Sequence, residues 1–100
     1  MYFEWNEDKN RLNIEKHKAD FNDATQLFNN DIVVIPDERF NYKELRLIGY
    51  GYVNGRLMNV VYTERLPGII RIISFRKANT KTCITIYTIW DLNTAITYNR

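Results

Sequence analysis

The dipeptide Asn54-Gly55 constrains this chain more than any other feature, because apolar stretches flank it on both sides. LRLIGYGYV (45–53) precedes it and RLMNVVYTE (56–64) follows it. Both residues of the dipeptide tolerate the positive φ that a type I′ turn requires. The sequence therefore predicts a β-hairpin whose two-residue loop fixes the register of both strands.

This register assigns the hairpin side chains to two faces of a sheet. Arg46 is predicted opposite Thr63, and Glu44 opposite Arg65, all on one polar face. The opposite face is the better core, since it is predicted to carry Leu45, Leu47, Met58, Val60 and Tyr62.

A second hairpin, through Pro67-Gly68, leads into the strand IIRIISFRK. If these two residues form the whole loop, Arg76 joins the polar face. A slip of one residue would place Arg71 and Lys77 there instead. Pro-Gly favours a type II turn, which matches strand twist poorly, so both registers stay open. Either register leaves a cation on the polar face.

Two helices are predicted before the strands. Residues 6–18 begin at a capping asparagine, Asn6, and have acids at the start and lysines at the end. The second helix is predicted from Phe21, Ala24, Thr25 and Phe28, which recur at i, i+3, i+4 and i+7, and it ends at 29–30. A β-branched run at 32–35 follows and predicts a strand.

The predicted fold class is α+β, with two N-terminal helices followed by a four-stranded antiparallel sheet. Residues 79–90 favour a short helix with Ile84, Tyr87 and Tyr98 packing inward, although a strand or an irregular tail is the alternative. The length of 100 residues fits a single domain, 1–100. With one cysteine, Cys83, and no apolar run long enough for a bilayer, we expect a cytoplasmic protein without membrane contact.

Charge is divided unevenly along the chain. The net charge of +2 combines −4 over residues 1–45 with +6 over residues 46–100. This asymmetry indicates either a basic face for a polyanion or a charged fold without a ligand. A helix over 6–18 would align Lys9, Asn13, Lys16 and His17, a stripe that is either solvated surface or a source of proton carriers.

No established pattern for metal or cofactor binding occurs, so we expect no metal and no cofactor. A second histidine and a cysteine pair are missing, and no P-loop, Rossmann or G-x-S-x-G motif is present. RNA carries its own nucleophile, the 2′-hydroxyl. Cations and one proton acceptor therefore suffice to cleave it.

Several motifs together resemble the BrnT toxins of bacterial type II toxin–antitoxin systems. They are FEWNEDKNRLNIEKH (3–17), F-x-x-A-x-x-L-F (21–28), IPDERF (35–40), NGRLMNVVYTER (54–65) and RIISFRKA (71–78). The resemblance runs from Phe3 to about Asn79, and the tail at 80–100 diverges.

The resemblance implies a RelE-like domain and an endoribonuclease that inhibits translation. It also implies a BrnA-like ribbon-helix-helix antitoxin as partner, a heterotetramer of two toxins and two antitoxins, and DNA contact through the antitoxin alone. The alternatives are a degenerate toxin that only binds its antitoxin, or a small nucleic-acid-binding module.

The hypothesis for the site combines the resemblance with the cations of the polar face. Arg65 and Arg76, supported by Lys77, would hold the scissile phosphate. His17 or Glu44 would accept the proton. The RNA-binding residues would be Arg46, Arg71, Lys9 and Lys16.

This chain departs from the family pattern at four places. Lys18 stands where glycine is usual, and is expected to alter the end of the first helix. Phe40-Asn41 replaces a His-Ser pair, Phe75 replaces a small residue, and the tail lacks the usual charge.

Overall fold

A mixed sheet of five strands, extended at one edge by a two-residue sixth strand, forms the centre of the fold. The computed structural model describes residues 1–39, 43–91 and 97–98. The strands are β1 (Tyr2–Glu4), β2 (Ile32–Pro36), β3 (Leu47–Val53), β4 (Arg56–Leu66), β5 (Ile69–Lys77) and β6 (Thr97–Tyr98), in the spatial order β1-β5-β4-β3-β2-β6. The helices are α1 (Glu7–His17), α2 (Phe21–Ala24), which a 3-10 helix continues at Thr25–Asn29, and α3 (Thr80–Asp91).

The α+β class is confirmed, but the prediction of a four-stranded, purely antiparallel sheet is wrong. The N-terminal strand β1 lies parallel to β5, with Phe3 beside Ile70, and β6 pairs with β2. A three-residue strand is too short to show a period. Its partner lies more than sixty residues away, so no local pattern could reveal the pairing.

The Asn54-Gly55 hairpin is confirmed. Val53 pairs with Arg56, and both turn residues have positive φ, 52° and 76°. Strand β3 begins only at residue 47, however, so the predicted pairing of residues 44 and 46 across the sheet is not formed. Leu45, predicted in the core, is 69% exposed. Its carbonyl instead accepts a hydrogen bond of 2.9 Å from the Thr63 hydroxyl.

The second hairpin has the predicted two-residue loop, but its strands contain two irregularities that offset each other. Leu66 pairs with Ile69, and the register then shifts at Arg65 in β4 and shifts back at Ile73 in β5. Between these bulges Arg71 pairs with Thr63, whereas beyond them Arg76 pairs with Asn59. The predicted position of Arg76 on the polar face is therefore confirmed. Arg71 is not an alternative to it, because a bulge lets both arginines lie on the same face.

The first N-terminal helix forms as predicted, whereas the second is α-helical only over Phe21–Ala24 and continues as the 3-10 helix Thr25–Asn29. Asn6 caps α1 by accepting a hydrogen bond of 3.0 Å from the backbone of Lys9. Asp20 caps α2. The helix α1 ends in a left-handed residue, Lys18, with φ 56° and ψ 34°. Lysine thus adopts here the left-handed conformation for which glycine is favoured.

Each face of the sheet has its own apolar cluster. The inner face packs under α2 and the 3-10 helix, and its buried side chains include Met58, Val60, Tyr62 and Phe75 together with Phe21, Leu27 and Phe28. The outer face carries Ile48, Tyr50, Asn59, Val61, Ser74 and Arg76, in cross-strand rows. Phe75 fills the core as a large side chain, with 1% of its surface exposed.

The helix α3 covers part of the outer face. Its residue Ile86 is buried in a cluster with Val33, Ile48 and Val61. The helix over residues 79–90 is therefore confirmed, but Ile84, predicted to pack inward, is 63% exposed. The side chains of Tyr87 and Tyr98, and residues Phe40, Asn41, 92–96 and 99–100, lie outside the described residues. Within the described chain, no helix combines the length and apolarity needed to cross a bilayer.

Gly51 sets the distance between the sheet and the 3-10 helix, and its substitution is a direct test of this packing. A Cβ atom at this position would lie 2.7 Å from Ile32 Cγ2 and closer still to Leu27 Cδ2. We expect Gly51→Ala to lower the free energy of unfolding by about 1–3 kcal/mol through overpacking. Gly49→Ala is the matched control, because its nearest neighbours lie at 3.2 and 3.3 Å. Urea unfolding that shows equal losses for both variants would contradict this account.

Candidate functional site

A cleft of about 380 Å³ lies on the outer face, bounded by the end of α1, the residues after β2 and the start of α3. Its apolar base comes from Ile48 and Val61. The polar side chains that line it are Lys16, His17, Arg39, Tyr50, Asn59, Ser74, Arg76 and Thr82. Three cations, one histidine and several hydrogen-bonding groups therefore surround a single concave space.

A cross-strand row forms the floor of the cleft. Tyr50 pairs with Asn59, and Asn59 pairs with Arg76 on the next strand. Because neighbouring strands lie about 4.8 Å apart, the row spans roughly 10 Å. Within the described ranges, neither the Asn59 amide nor the Arg76 guanidinium has a hydrogen-bonding or ionic partner in the protein. Both groups face a space in which a ligand could satisfy them.

The end of α1 reaches the cleft because a buried amide attaches this helix to β5. Asn13 donates a hydrogen bond of 2.7 Å to the Phe75 carbonyl and accepts one of 3.3 Å from the Phe75 amide. It also donates to the carbonyl of Ala19 at 2.8 Å. The side chain thus replaces a neighbouring strand at the edge of β5. This contact places Lys16 and His17, one turn further on, beside Arg76.

Arg39 forms the opposite wall, and a buried carboxylate orients it. Asp37 has a fully buried side chain and accepts two hydrogen bonds from Arg39, from Nε at 2.8 Å and from Nη2 at 2.9 Å. The guanidinium of Arg39 is about half exposed and lines the cleft. A bidentate pair of this kind fixes the plane of the guanidinium. Sequence reasoning missed Arg39, although it lies within the IPDERF motif, because nothing predicted where that loop would fold.

The pKa values of two titratable groups in the cleft are shifted in opposite directions. Burial lowers the pKa of His17 below its usual 6.5, and the charges of Lys16 and Arg76 lower it further. Burial raises the pKa of Tyr50, an effect that Arg39 and Arg76 partly oppose. At neutral pH the imidazole is therefore predominantly neutral and able to accept a proton, while the phenol keeps its proton and can donate a hydrogen bond.

The structure brings together only part of the predicted residue set. Lys16, His17 and Arg76 meet in the cleft, and Lys9 lies in an adjoining shallow groove beside α1. Lys77 pairs with Met58, so it lies in a cross-strand row of the inner face and not in the cleft. The cleft therefore contains three of the predicted site residues. It also contains Arg39, Tyr50 and Asn59, which were not among them. Of these three, only Tyr50 could have been suggested from the sequence, by its aromatic character and its β-propensity.

The remaining predicted cations lie elsewhere, each beside a carboxylate. Arg65 donates a hydrogen bond of 3.0 Å to Glu4, and Arg71 lies 4.0 Å from the same oxygen. Arg46 Nε lies 3.5 Å from Glu44. The structure thus does not bring Arg65 and Arg76 together around one phosphate.

Histidine, cysteine, aspartate and glutamate side chains do not cluster in groups of three or more within the described residues. The polar groups of the cleft are instead cationic or neutral, apart from the Asp37 carboxylate behind Arg39. This composition suits an anionic ligand.

Comparison with known proteins identifies one family. Residues 5–82 match the family model described as the ribonuclease toxin BrnT of type II toxin–antitoxin systems. The crystal structure of the ribonuclease toxin BrnT from Brucella abortus is similar to this fold, with 29% sequence identity and a TM-score of 0.65 over 80% of this chain and 99% of that chain. A search of curated proteins finds no match.

The amide of Asn13 offers a test of how the site is assembled. Asn13→Leu leaves the backbone groups of Phe75 and the carbonyl of Ala19 without their partner, and each unsatisfied buried group costs about 1–3 kcal/mol. We expect the free energy of unfolding, measured in urea, to fall by at least that amount. Asn22→Leu, at an exposed position of α2, is the control, and a similar small loss in both variants would contradict the role of Asn13.

Proposed function

Because this chain belongs to the BrnT family of ribonuclease toxins from type II toxin–antitoxin systems, we propose that it cleaves RNA in the cleft of the outer face. The observation that carries this proposal is the convergence of Arg39, Arg76 and Lys16 around a histidine with a lowered pKa. Phosphate is the ligand that such a set of guanidinium and ammonium groups binds best.

In the proposed reaction the RNA supplies the nucleophile. His17 accepts the proton of the 2′-hydroxyl, and the 2′-oxygen attacks the adjacent phosphorus. The bond from phosphorus to the 5′-oxygen breaks, and this leaving oxygen takes a proton from water. The products are a 2′,3′-cyclic phosphate and a 5′-hydroxyl. No metal takes part in this proposed reaction.

The cations of the cleft stabilise the charge that develops on the phosphate. Arg76 lies on the floor and Arg39 on the opposite wall, so the two guanidinium groups approach the non-bridging oxygens from different sides. Tyr50, which keeps its proton, donates a hydrogen bond to the same group. Asp37 is a positioning residue, since it holds Arg39 in place before the substrate arrives.

The family implies a cognate antitoxin as partner. We propose that this antitoxin is BrnA-like, with a ribbon-helix-helix part that makes the DNA contacts, and that two toxins and two antitoxins assemble into a heterotetramer. Inhibition of translation by cleavage of cellular RNA is the proposed consequence when the toxin is released.

Substitution of the two cleft arginines tests the assignment. We expect Arg76→Gln and Arg39→Gln each to reduce kcat about 10²- to 10³-fold, the range found when one stabilising donor of a transition state is removed. Arg11→Gln, on the exposed side of α1, is the control and should retain full activity. The measurement is cleavage of a defined RNA with mapping of the 2′,3′-cyclic ends.

Three results would contradict the proposal. If folded Arg76→Gln and Arg39→Gln cut RNA at the control rate, the cleft is not the site. If the unaltered chain binds RNA in a salt-dependent manner but leaves it intact, it is a nucleic-acid-binding module. Harmless expression together with antitoxin binding would instead indicate a degenerate toxin.

The pH dependence tests the role of His17. Since the base must be neutral, kcat/KM of the free protein should be full above the lowered pKa and fall as the pH decreases through it, with the limb below pH 6.5. Lys16→Gln removes a charge that disfavours protonation, so the pKa rises and the limb moves to higher pH. Lys18→Gln is the control, because Lys18 is not among the groups that shift this pKa. A limb that stays in place in Lys16→Gln would argue against His17 as the base.

A further inference from the structure

Two arginines on the outer side of the sheet share one carboxylate at the β1 edge. Glu4 Oε1 accepts a hydrogen bond of 3.0 Å from Arg65 Nη1 and lies 4.0 Å from Arg71 Nη1. All three side chains remain accessible, with exposed fractions of 37% for Glu4, 57% for Arg65 and 36% for Arg71. The group is therefore in contact with solvent.

The charges of this group do not balance. One carboxylate, Glu4, faces two guanidinium groups, so these three side chains together carry a net positive charge. Glu44 and Glu64 line a neighbouring cavity with Arg65. An exposed ion pair of this type contributes little to stability, and a stronger anion can replace the carboxylate at small cost. A phosphodiester offers two oxygens to the two arginines, whereas Glu4 presents a single oxygen to both.

The bulges of the β4–β5 hairpin direct these arginines to the same side as the cleft. The shift at Ile73 pairs Arg71 with Thr63, two residues beyond Val61 on the outer face. Arg65 is the extra residue of the second shift. Bulges commonly re-aim side chains beside functional sites. Here they place a second pair of cations on the same face of the sheet as the cleft.

The distance between the two arginine groups fits two different phosphates of one RNA strand and is too long for a single phosphate. The Thr63–Arg71 pair lies four residues along β4 from the Asn59–Arg76 pair, about 13 Å at the usual rise of a strand. Ile73 lies between the two arginine groups, half-buried against the outer-face cluster. An apolar surface between two cationic ones suits a base flanked by phosphates.

We propose that Arg65 and Arg71 form a distal phosphate site for the RNA strand that occupies the cleft, and that Glu4 is a built-in counter-ion which the phosphate displaces. This inference rests on the proposed ribonuclease function and names its substrate more closely. The preferred substrate is a single strand that extends along β5 by more than one phosphate beyond the scissile bond.

The test compares a dinucleotide, which has only the scissile phosphate, with an octanucleotide. We expect Arg65→Gln and Arg71→Gln to cleave the dinucleotide at the rate of the unaltered protein and to lose the preference for the octanucleotide. For a 2′-O-methyl octanucleotide, which cannot be cleaved, each variant should lower the magnitude of the salt slope of binding by about 0.7, the value for one phosphate contact on a single strand. Arg11→Gln is again the control.

Glu4→Gln separates a binding role from a structural one. It breaks the same ion pairs as the arginine variants, yet we expect it to bind the octanucleotide several-fold more tightly, since the competing carboxylate is lost. Weaker binding in all three variants, or an unchanged salt slope in the arginine variants, would overturn the distal site. If no RNA is cleaved at all, the proposed function fails. In that case octanucleotide binding still tests the inference, because Glu4→Gln is expected to bind more tightly and Arg71→Gln more weakly.

Discussion

The attachment of α1 to the edge of β5 through one amide group underlies both the fold and the site. Asn13 satisfies the N–H and C=O of Phe75, which would otherwise form an open sheet edge. A hydrogen-bonded contact has a defined direction, whereas an apolar contact does not. The helix is accordingly held at one position along the strand, and His17 lies beside Arg76 as a result. Its apolar residue Leu12 remains 60% exposed, so apolar burial contributes little to this docking.

Two physical kinds of ion pair can be distinguished among the residues that the structure describes. The carboxylate of Asp37 is fully buried, and its two hydrogen bonds hold the guanidinium of Arg39 in one plane. Removal of one partner from such a pair is costly, which makes it suitable for orienting a group. Glu4, in contrast, shares an exposed oxygen between two arginines. A pair of this second kind exchanges partners readily, because water screens it.

The family resemblance ends before the last helix does. The family model covers residues 5–82, so it includes the first turn of α3 and stops there. Thr82, within the matched region, lines the cleft. Ile86 lies after the matched region and is buried in the outer-face cluster that also contains Tyr50. The wall of the cleft is thus supported by residues outside the region that defines the family.

The sequence by itself determined the local elements of this protein. The Asn54-Gly55 turn, the Asn6 cap and the two-residue Pro67-Gly68 loop are decided by neighbouring residues, and all three form as predicted. The motifs also indicated the family. The arrangement of the site was decided by contacts between distant parts of the chain. The parallel pairing of β1, the bulge at Ile73 and the folding of Arg39 towards Tyr50 each depend on such partners. Hydrophobic periodicity and secondary-structure propensity depend only on a residue and its neighbours in the sequence. They therefore placed His17 on its helix but could not show which of the chain's eight arginines would face it.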